Sequence, residues 1–314
     1  MNKLKYIKRF QKYLVERHRI YNERQGPTLP PFTNDKILQT YKFTNVFREL
    51  DAVSQDLIEH LSNNHAKPMH EILFNICAYR MFNVPQTWHT LTRGKGWISK
   101  FNIEASIKLL DQRQDEGKKV FTGAYLMTGG AALQGERAQR SADDNGRVRK
   151  HRHFLSMTNK IWNDRKALLK EIVKNNTIEY AVECFKRYEG IAGFIGYEFA
   201  TDLTYTPILS AASDLNTWAN PGPGAARGLN RLFDREFAKS IPHQQAVDEM
   251  KMIFDILAEW QRLDVKRNAN DFWYRPFTMR DVEHSLCEFD KYERVRLEQG
   301  RPRSKFNPTY GVAK

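Results

Sequence analysis

Cysteine is scarce: Cys77, Cys184 and Cys287 stand alone in 314 residues, and no two form a CxxC pair. That argues against a disulfide framework and a thiolate zinc site, and makes a reducing, cytoplasmic compartment the expectation. No apolar run approaches the roughly 18–20 residues needed to span a bilayer, so no membrane partner is expected. The basic N-terminus, MNKLKYIKRFQKYLVERHRIYNER, lacks an apolar core and a small-residue cleavage site, which argues against a secretory signal. No GxxxxGK[ST] is present to cradle the phosphates of ATP, and neither HExxH nor the HxE…PCxxC deaminase pattern occurs. His60, His65 and His70 fall five apart, the wrong spacing for one helical face, so they are not expected to bind a metal. Strand signals are few.

Positive charge and aromatic side chains are abundant. Fifty Lys+Arg against 37 Asp+Glu give a net charge of +13, and 19 Phe, 13 Tyr and 6 Trp provide material for a real core. Such a surplus suits a polyanionic partner, with a solubility surface as the alternative. It is concentrated in two places: Arg137, Arg140, Arg147, Arg149, Lys150 and Arg152 with His151 and His153, and Arg294, Arg296, Arg301, Arg303 and Lys305. Neither stretch has a sustained apolar period, so each is expected to be a phosphate-contacting segment or a solvated loop.

Apolar spacing predicts a mainly α fold. Residues 3–24 form an amphipathic helix closed by the Pro-rich 25–32, and 35–61 reads as one helix or two meeting near Phe43-Thr44. Residues 69–82 form a buried helix ended near Pro85, and 102–113 a short one. Residues 120–130 fit a strand or a buried helix, and 135–149 is the best loop. Helices resume at 154–188, 190–201, 224–240, 244–262 and 279–297. The expected organisation is a basic helix and connector (1–34), one helical domain (35–305) and a tail (306–314).

The sharpest local signal is LNTWANPGPGAARGLNRL (215–232), similar to the hairpin of a helix-hairpin-helix DNA-binding motif. Glycine lets a backbone approach a phosphate, and the N-terminus of the following helix offers free N–H groups. Gly222, Gly224, Ala225 and Arg227 are therefore candidate DNA contacts with Arg147, Arg149, Lys150 and Arg152, while an ordinary Pro/Gly loop is the alternative. On a helix Glu198 and Asp202 share one face among aromatic neighbours, as a proton-hungry pair or a solvated acidic face. Arg48 and Asp51 sit three apart beside Thr44 and Asn45, while Glu283, Cys287, Lys291 and Arg294 form one stripe.

FTNVFRELDAVS (43–54), YRMFNVPQTW (79–88), FTGAYLMTG (121–129), GYEFATDLTY (196–205), PGPGAARGLNRL (221–232) and EHSLCEFDKYERV (283–295) form an ordered series. The series resembles the α-glutamyl/putrescinyl-thymine pyrophosphorylases, also called amino acid:DNA transferases. A similar helical domain is attached to 5-hydroxymethyluracil DNA kinases. The resemblance implies a multi-helix, DNA-glycosylase-like architecture with a helix-hairpin-helix, and a bacteriophage enzyme working in the host cytoplasm on double-stranded DNA. An upstream kinase pyrophosphorylates 5-hydroxymethyluracil; the transferase then replaces pyrophosphate with an amino acid or polyamine. Lacking a P-loop, this chain is not expected to be the kinase itself.

On that chemistry a carboxylate must take a proton from the amine: Asp202 first, then Glu198 and Asp51. Arginine must hold the departing pyrophosphate: Arg48 first, with Arg80 and Arg227 behind it. Thr44, Asn45, Arg80, Tyr197, Trp218 and Lys291 are candidate substrate contacts, with Tyr197, Trp218 or Trp88 stacking on an extruded base. Displacement is direct, or passes through a methylene intermediate with Cys287 as one candidate nucleophile. Mg²⁺ is a possible companion of pyrophosphate, without a dedicated ligand set in the sequence. The competing expectations are a glycosylase using Asp248, a non-catalytic DNA-binding partner of a 5-hydroxymethyluracil DNA kinase, or an uncommitted basic helical protein.

Overall fold

The 3.6-residue apolar period produces thirteen α-helices among the residues that the computed structural model describes, 2–122, 136–264 and 276–308, and no strand among them. They are α1 (Asn2–Gln25), α2 (Lys36–Thr40), α3 (Ala52–Asn63), α4 (Met69–Phe82), α5 (Pro85–Leu91), α6 (Ile103–Asp115) and α7 (Glu136–Arg140), then α8 (Lys150–Asn175), α9 (Ile178–Lys186), α10 (Gly193–Leu203), α11 (Pro223–Leu232), α12 (His243–Asp264) and α13 (Met279–Arg296). Among the described residues no helix is long and apolar enough to cross a membrane. The chain divides into two compact units: residues 1–52 with 214–314, and residues 53–213.

The second unit is organised on α4. Every residue from Ile72 to Phe82 is buried, which explains why this stretch has few polar positions. One of them, Asn75, is fully used: its amide donates to the Glu71 and Ile98 carbonyls, and its oxygen accepts the Ile98 N–H. Helices α5, α8 and α10 pack on α4. Asn83 ends it at φ 53°, a left-handed conformation that Asn tolerates better than most residues. Pro85 does more than stop α4: with no N–H to lose at a first turn, it opens α5, a helix the sequence pattern did not announce. The single helix expected over 154–188 is two, because Asn176 turns left-handed (φ 49°) and Thr177 caps α9 by accepting the Tyr180 N–H. The loop expected at 135–149 contains α7 and an antiparallel bridge between Ala142 and Val148.

In the first unit the stripe Ile7, Phe10 and Leu14 of α1 is buried, with the Phe10 ring edge-on to Phe289 of α13. Asp35 caps α2, accepting the N–H groups of Ile37 and Leu38. The helical continuity expected through 43–51 fails. The chain runs extended past Tyr41, pairs there with Lys305, and re-enters helix only after a 3₁₀ turn at Arg48–Leu50. The reason is local: Thr44 N–H donates to the Glu288 carboxylate and Asn45 N–H to Asp51, so side chains capture the donors a helix would have used. Residues 204–222, which precede α11, form turns rather than a tight hairpin. Most of the FTGAYLMTG motif, from residue 123 onward, lies outside the described residues, as does Gly135.

Candidate functional site

The extended loop 43–51 brings four sequence candidates into one polar cluster of the first unit. Thr44 N–H reaches Glu288 Oε2 at 3.0 Å, and the Lys291 ammonium reaches the same oxygen at 2.5 Å. Asn45 N–H donates to Asp51 Oδ1 at 2.9 Å, while its side chain donates to the Leu50 carbonyl at 2.7 Å. Thr44, Asn45, Asp51 and Lys291 thus converge from a loop and from α13, although only a helix had been expected to hold the first three together.

Sequence reasoning missed the groups that complete the cluster. Arg17 of α1 is buried and donates to Asn45 Oδ1 at 2.6 Å and to the Phe43 carbonyl at 3.2 Å. His284 lies between the carbonyls of Arg280 and Asn45, 2.9 and 3.2 Å from its two ring nitrogens. Tyr13 packs against Phe43, and Glu288 and Arg17 are among the charges felt by its hydroxyl. The signal for Arg17 was present: it follows Phe10 and Leu14 at helical spacing, a charged residue on an apolar stripe. The Tyr13 hydroxyl, the Thr44 hydroxyl and Arg17 Nη1 are buried without a hydrogen-bond partner. Polar groups so placed are costly unless something completes them.

Two titratable groups in this region are shifted by burial. Burial pushes the Asp51 carboxyl upward, against the Asn45 amide and the charges of His284, Arg17 and Arg48, although the residue keeps some exposure. Cys287 is exposed, yet desolvation by surrounding atoms, with Glu288 and Glu283 nearby, pushes its thiol up to about 12.

The second unit assigns its candidates differently. Glu198 and Asp202 are buried on α10, one turn apart. Asp202 is fully buried and takes the Arg80 fork with both oxygens: Nε to Oδ2, and Nη2 to Oδ1 at 2.9 Å. Arg80 also donates to Asn83 at 2.9 Å. This pair engages, inside the unit, both the first-choice base and one of the arginines placed behind Arg48 for the pyrophosphate. Tyr197 and Trp88 are 4% and 2% exposed, so neither offers a face for a base, whereas Trp218 is half-buried.

The glycine-rich segment performs packing. Gly224 and Ala225 are buried, Gly224 against Cys287 of α13, and the Gly222 N–H is accepted by Glu283 at 3.2 Å. A Cβ on Gly224 would lie 2.2 Å from Cys287 Sγ, and one on Gly228 2.4 Å from the Leu286 carbonyl oxygen. Two glycines four apart therefore let α11 press on α13 backbone to backbone. Arg227 donates to the buried Asp290 at 2.8 Å. In the other basic stretch, Arg149 is buried and bridges Asp143 and Asp115, Arg152 clamps Asp111, and Arg147 returns to Asp143. Desolvation opposes the Asp143 charge, but the amides of Arg147 and Asn145 and these guanidiniums hold its carboxyl well below the usual range. His151 is fully buried on Asp111, and only Lys150 of the four DNA-contact candidates here is exposed and without an acidic partner. Arg48 is half-buried, and Asp248 is exposed on α12 beside Gln244. Among the described residues no group of three or more His, Cys, Asp or Glu side chains is arranged to hold a metal.

The sequence matches the family described as "5-hmdU DNA kinase, helical domain" over residues 4–301. A protein of Bacillus phage SP10 named "5-hmdU DNA kinase" is 27% identical over 318 residues, covering 94% of this chain and 47% of the relative. The chain thus spans about half the length of that curated relative. No solved structure matches. With nearly the whole chain inside the match, the protein belongs to the family of the 5-hmdU DNA kinase helical domain.

Proposed function

We propose that this chain works in thymine hypermodification of DNA, as a transferase that displaces pyrophosphate from pyrophosphorylated 5-hydroxymethyluracil with an amine. The observation that carries this reading is the loop 43–51 with Asp51, a carboxylate whose pKa is raised and which keeps access to solvent. A base that must deprotonate an ammonium-forming amine works best with its pKa moved toward neutrality. Membership of the helical-domain family and a phage relative named for 5-hmdU in DNA support the substrate class. So does the resemblance to amino acid:DNA transferases.

In this mechanism the amine nitrogen attacks the 5-methylene carbon, and the C–O bond to pyrophosphate breaks as the C–N bond forms. The amine proton passes to Asp51, and the leaving oxygen carries its electron pair away as pyrophosphate. Arg48, whose charge acts on Asp51, faces the developing negative charge. Lys291, Thr44 and Asn45 position the substrate. Asp202 and Arg80 become a structural pair rather than the base and the pyrophosphate holder. A Cys287 thiol held near 12 is protonated at neutral pH, which favours direct displacement over attack by this cysteine.

The test is incubation of the full chain with duplex DNA carrying pyrophosphorylated 5-hydroxymethyluracil and a panel of amines (glycine, serine, glutamate, putrescine), followed by nucleoside mass analysis. A mass gain matching C–N bond formation, with pyrophosphate released, is expected. An unaltered base would overturn the transferase reading, and abasic sites would replace it with a glycosylase. A second reading, a non-catalytic DNA-binding partner of a kinase, draws on one observation: the match is to about half of a kinase, while this chain carries no P-loop. That reading expects DNA binding without any product.

A further inference from the structure

Asp290 of α13 is fully buried, yet three guanidiniums converge on it. Arg227 and Arg231, one turn apart on α11, each donate from Nε to its carboxylate at 2.8 Å. Arg294, one turn further along α13, places Nε 3.5 Å from Oδ2. One negative charge against three positive ones leaves two in excess. The neighbouring carboxylate Glu293 does not correct the balance, because Arg9 and Arg296 already engage it at 3.2 and 2.6 Å.

Arg231 is the informative member. Its side chain is only 7% exposed, and its Nη2 is buried with no hydrogen-bond partner, the nearby Phe237 ring lying 5.6 Å from the guanidinium. Arg294 Nε is likewise buried without a hydrogen-bond partner. The side chains of Arg227 and Arg294 are 35% and 34% exposed, so the cluster opens to solvent on their side. Guanidiniums withdrawn from water without a full set of acceptors are costly, and an oxyanion supplies those acceptors. The planar fork matches the spaced oxygens of a phosphate, which a single-atom halide does not offer.

We propose that Arg227, Arg231 and Arg294 form a receptor for a backbone phosphate of DNA, with Asp290 as the positioning residue that fixes the forks from beneath. This rests on the reading that the chain acts on DNA. It replaces the glycine-rich turn as the phosphate contact, because there the Gly222 N–H is already accepted by Glu283 and the glycines face α13.

The test uses the full chain and a short fluorescent duplex, with affinity measured by anisotropy across a KCl series. The double variant Arg227→Gln/Arg294→Gln is expected to bind roughly tenfold more weakly, and the slope of log affinity against log salt to fall by about 1–2. Arg227→Lys/Arg294→Lys should recover part of the affinity, because charge returns without the fork. Arg137→Gln, which loses a partner on Glu189 in the other unit, is the control, and thermal melting confirms that each variant is folded. Unchanged affinity and slope in the folded double Gln variant would overturn the proposal, as would a wild-type chain that does not bind the duplex. Calorimetry with pyrophosphate separates the sources: a variant that loses pyrophosphate but keeps the duplex would assign the cluster to a free anion and reject the backbone phosphate. If the amine-transfer assay fails while the salt slope falls as expected, the transferase reading is lost and the phosphate receptor stands.

Discussion

Asp51 carries opposite consequences for stability and for activity. Burial raises its pKa from an ordinary 3.8, so the fold favours the neutral acid. The sign follows: the stabilisation is complete below the unfolded value and is lost as pH rises through the folded one. The ionised carboxylate therefore works against folding, yet it is the form that the proposed base role requires. Asp51→Asn keeps an oxygen for the Asn45 N–H and removes that charge. It should melt at the same temperature as wild type or higher at neutral pH, while amine transfer falls by roughly 10²–10⁴-fold. The wild-type rate should rise with pH along a limb displaced above the ordinary carboxylate range, and the variant should lack that limb. Melting curves and a pH–rate profile on the same preparations decide both halves. Cys287 makes a parallel point. It is exposed, but its thiol is pushed up to about 12, so iodoacetamide should alkylate it far more slowly at neutral pH than an exposed cysteine of ordinary pKa. Rapid labelling, read by peptide mass, would contradict the desolvation of this thiol.

At the scale of helices, two contacts decide what single substitutions do. Asp202→Asn would leave the Arg80 guanidinium, 2% exposed, facing a neutral amide; the expected loss is about 3–5 kcal/mol, seen as a large fall in melting temperature. Had Asp202 been a free catalytic base, the same substitution would remove activity and leave the fold intact. Gly228→Ala sets two effects against each other. Alanine gains about 1 kcal/mol of helix propensity, but its Cβ would lie 2.4 Å from the Leu286 carbonyl oxygen, a backbone atom that cannot swing aside. Overpacking of this kind costs about 1–3 kcal/mol, so denaturant melts should show a net loss. The pairing of Glu198 with Asp202 on one buried face was legible because i,i+4 spacing among aromatic residues survives any packing arrangement. The partner was not: Arg80 lies 122 positions away, and no local pattern encodes which charge a buried carboxylate will meet. Similarly, Thr44, Asn45 and Asp51 were legible as a set, but the helix assigned to them was wrong. Apolar spacing over 35–61 fits a helix, and it is contacts from distant residues, Glu288 on the Thr44 N–H and Arg17 on the Phe43 carbonyl, together with the Asn45–Asp51 contact, that hold that segment extended. In the glycine-rich segment, sequence identified a close backbone approach and mistook what was approached, because a phosphate and a neighbouring helix make the same demand for a missing Cβ.

For the molecule as a whole, a net charge of +13 overstates what is offered to a polyanion. Arg17, Arg80, Arg149 and Arg280 are buried and face Asn45, Asp202, Asp143 with Asp115, and Glu49 respectively, each within its own unit, so their charge is spent on internal contacts rather than offered to solvent. Charge offered to a polyanion at a distance comes from exposed cations such as Lys8 and Lys12 on α1 and Lys150 at the start of α8. These two populations predict different behaviour. Lys8→Gln/Lys12→Gln should weaken binding to modified and unmodified duplexes equally and lower the salt slope by up to about 2, without moving the melting temperature. Arg149→Gln removes one charge of the same sign but leaves Asp143 and Asp115 without their shared partner. It should lower the melting temperature and leave the salt slope of the folded protein unchanged. A salt slope that fell equally in both variants would mean that the formal charge count, not the exposed fraction of it, governs the encounter with DNA.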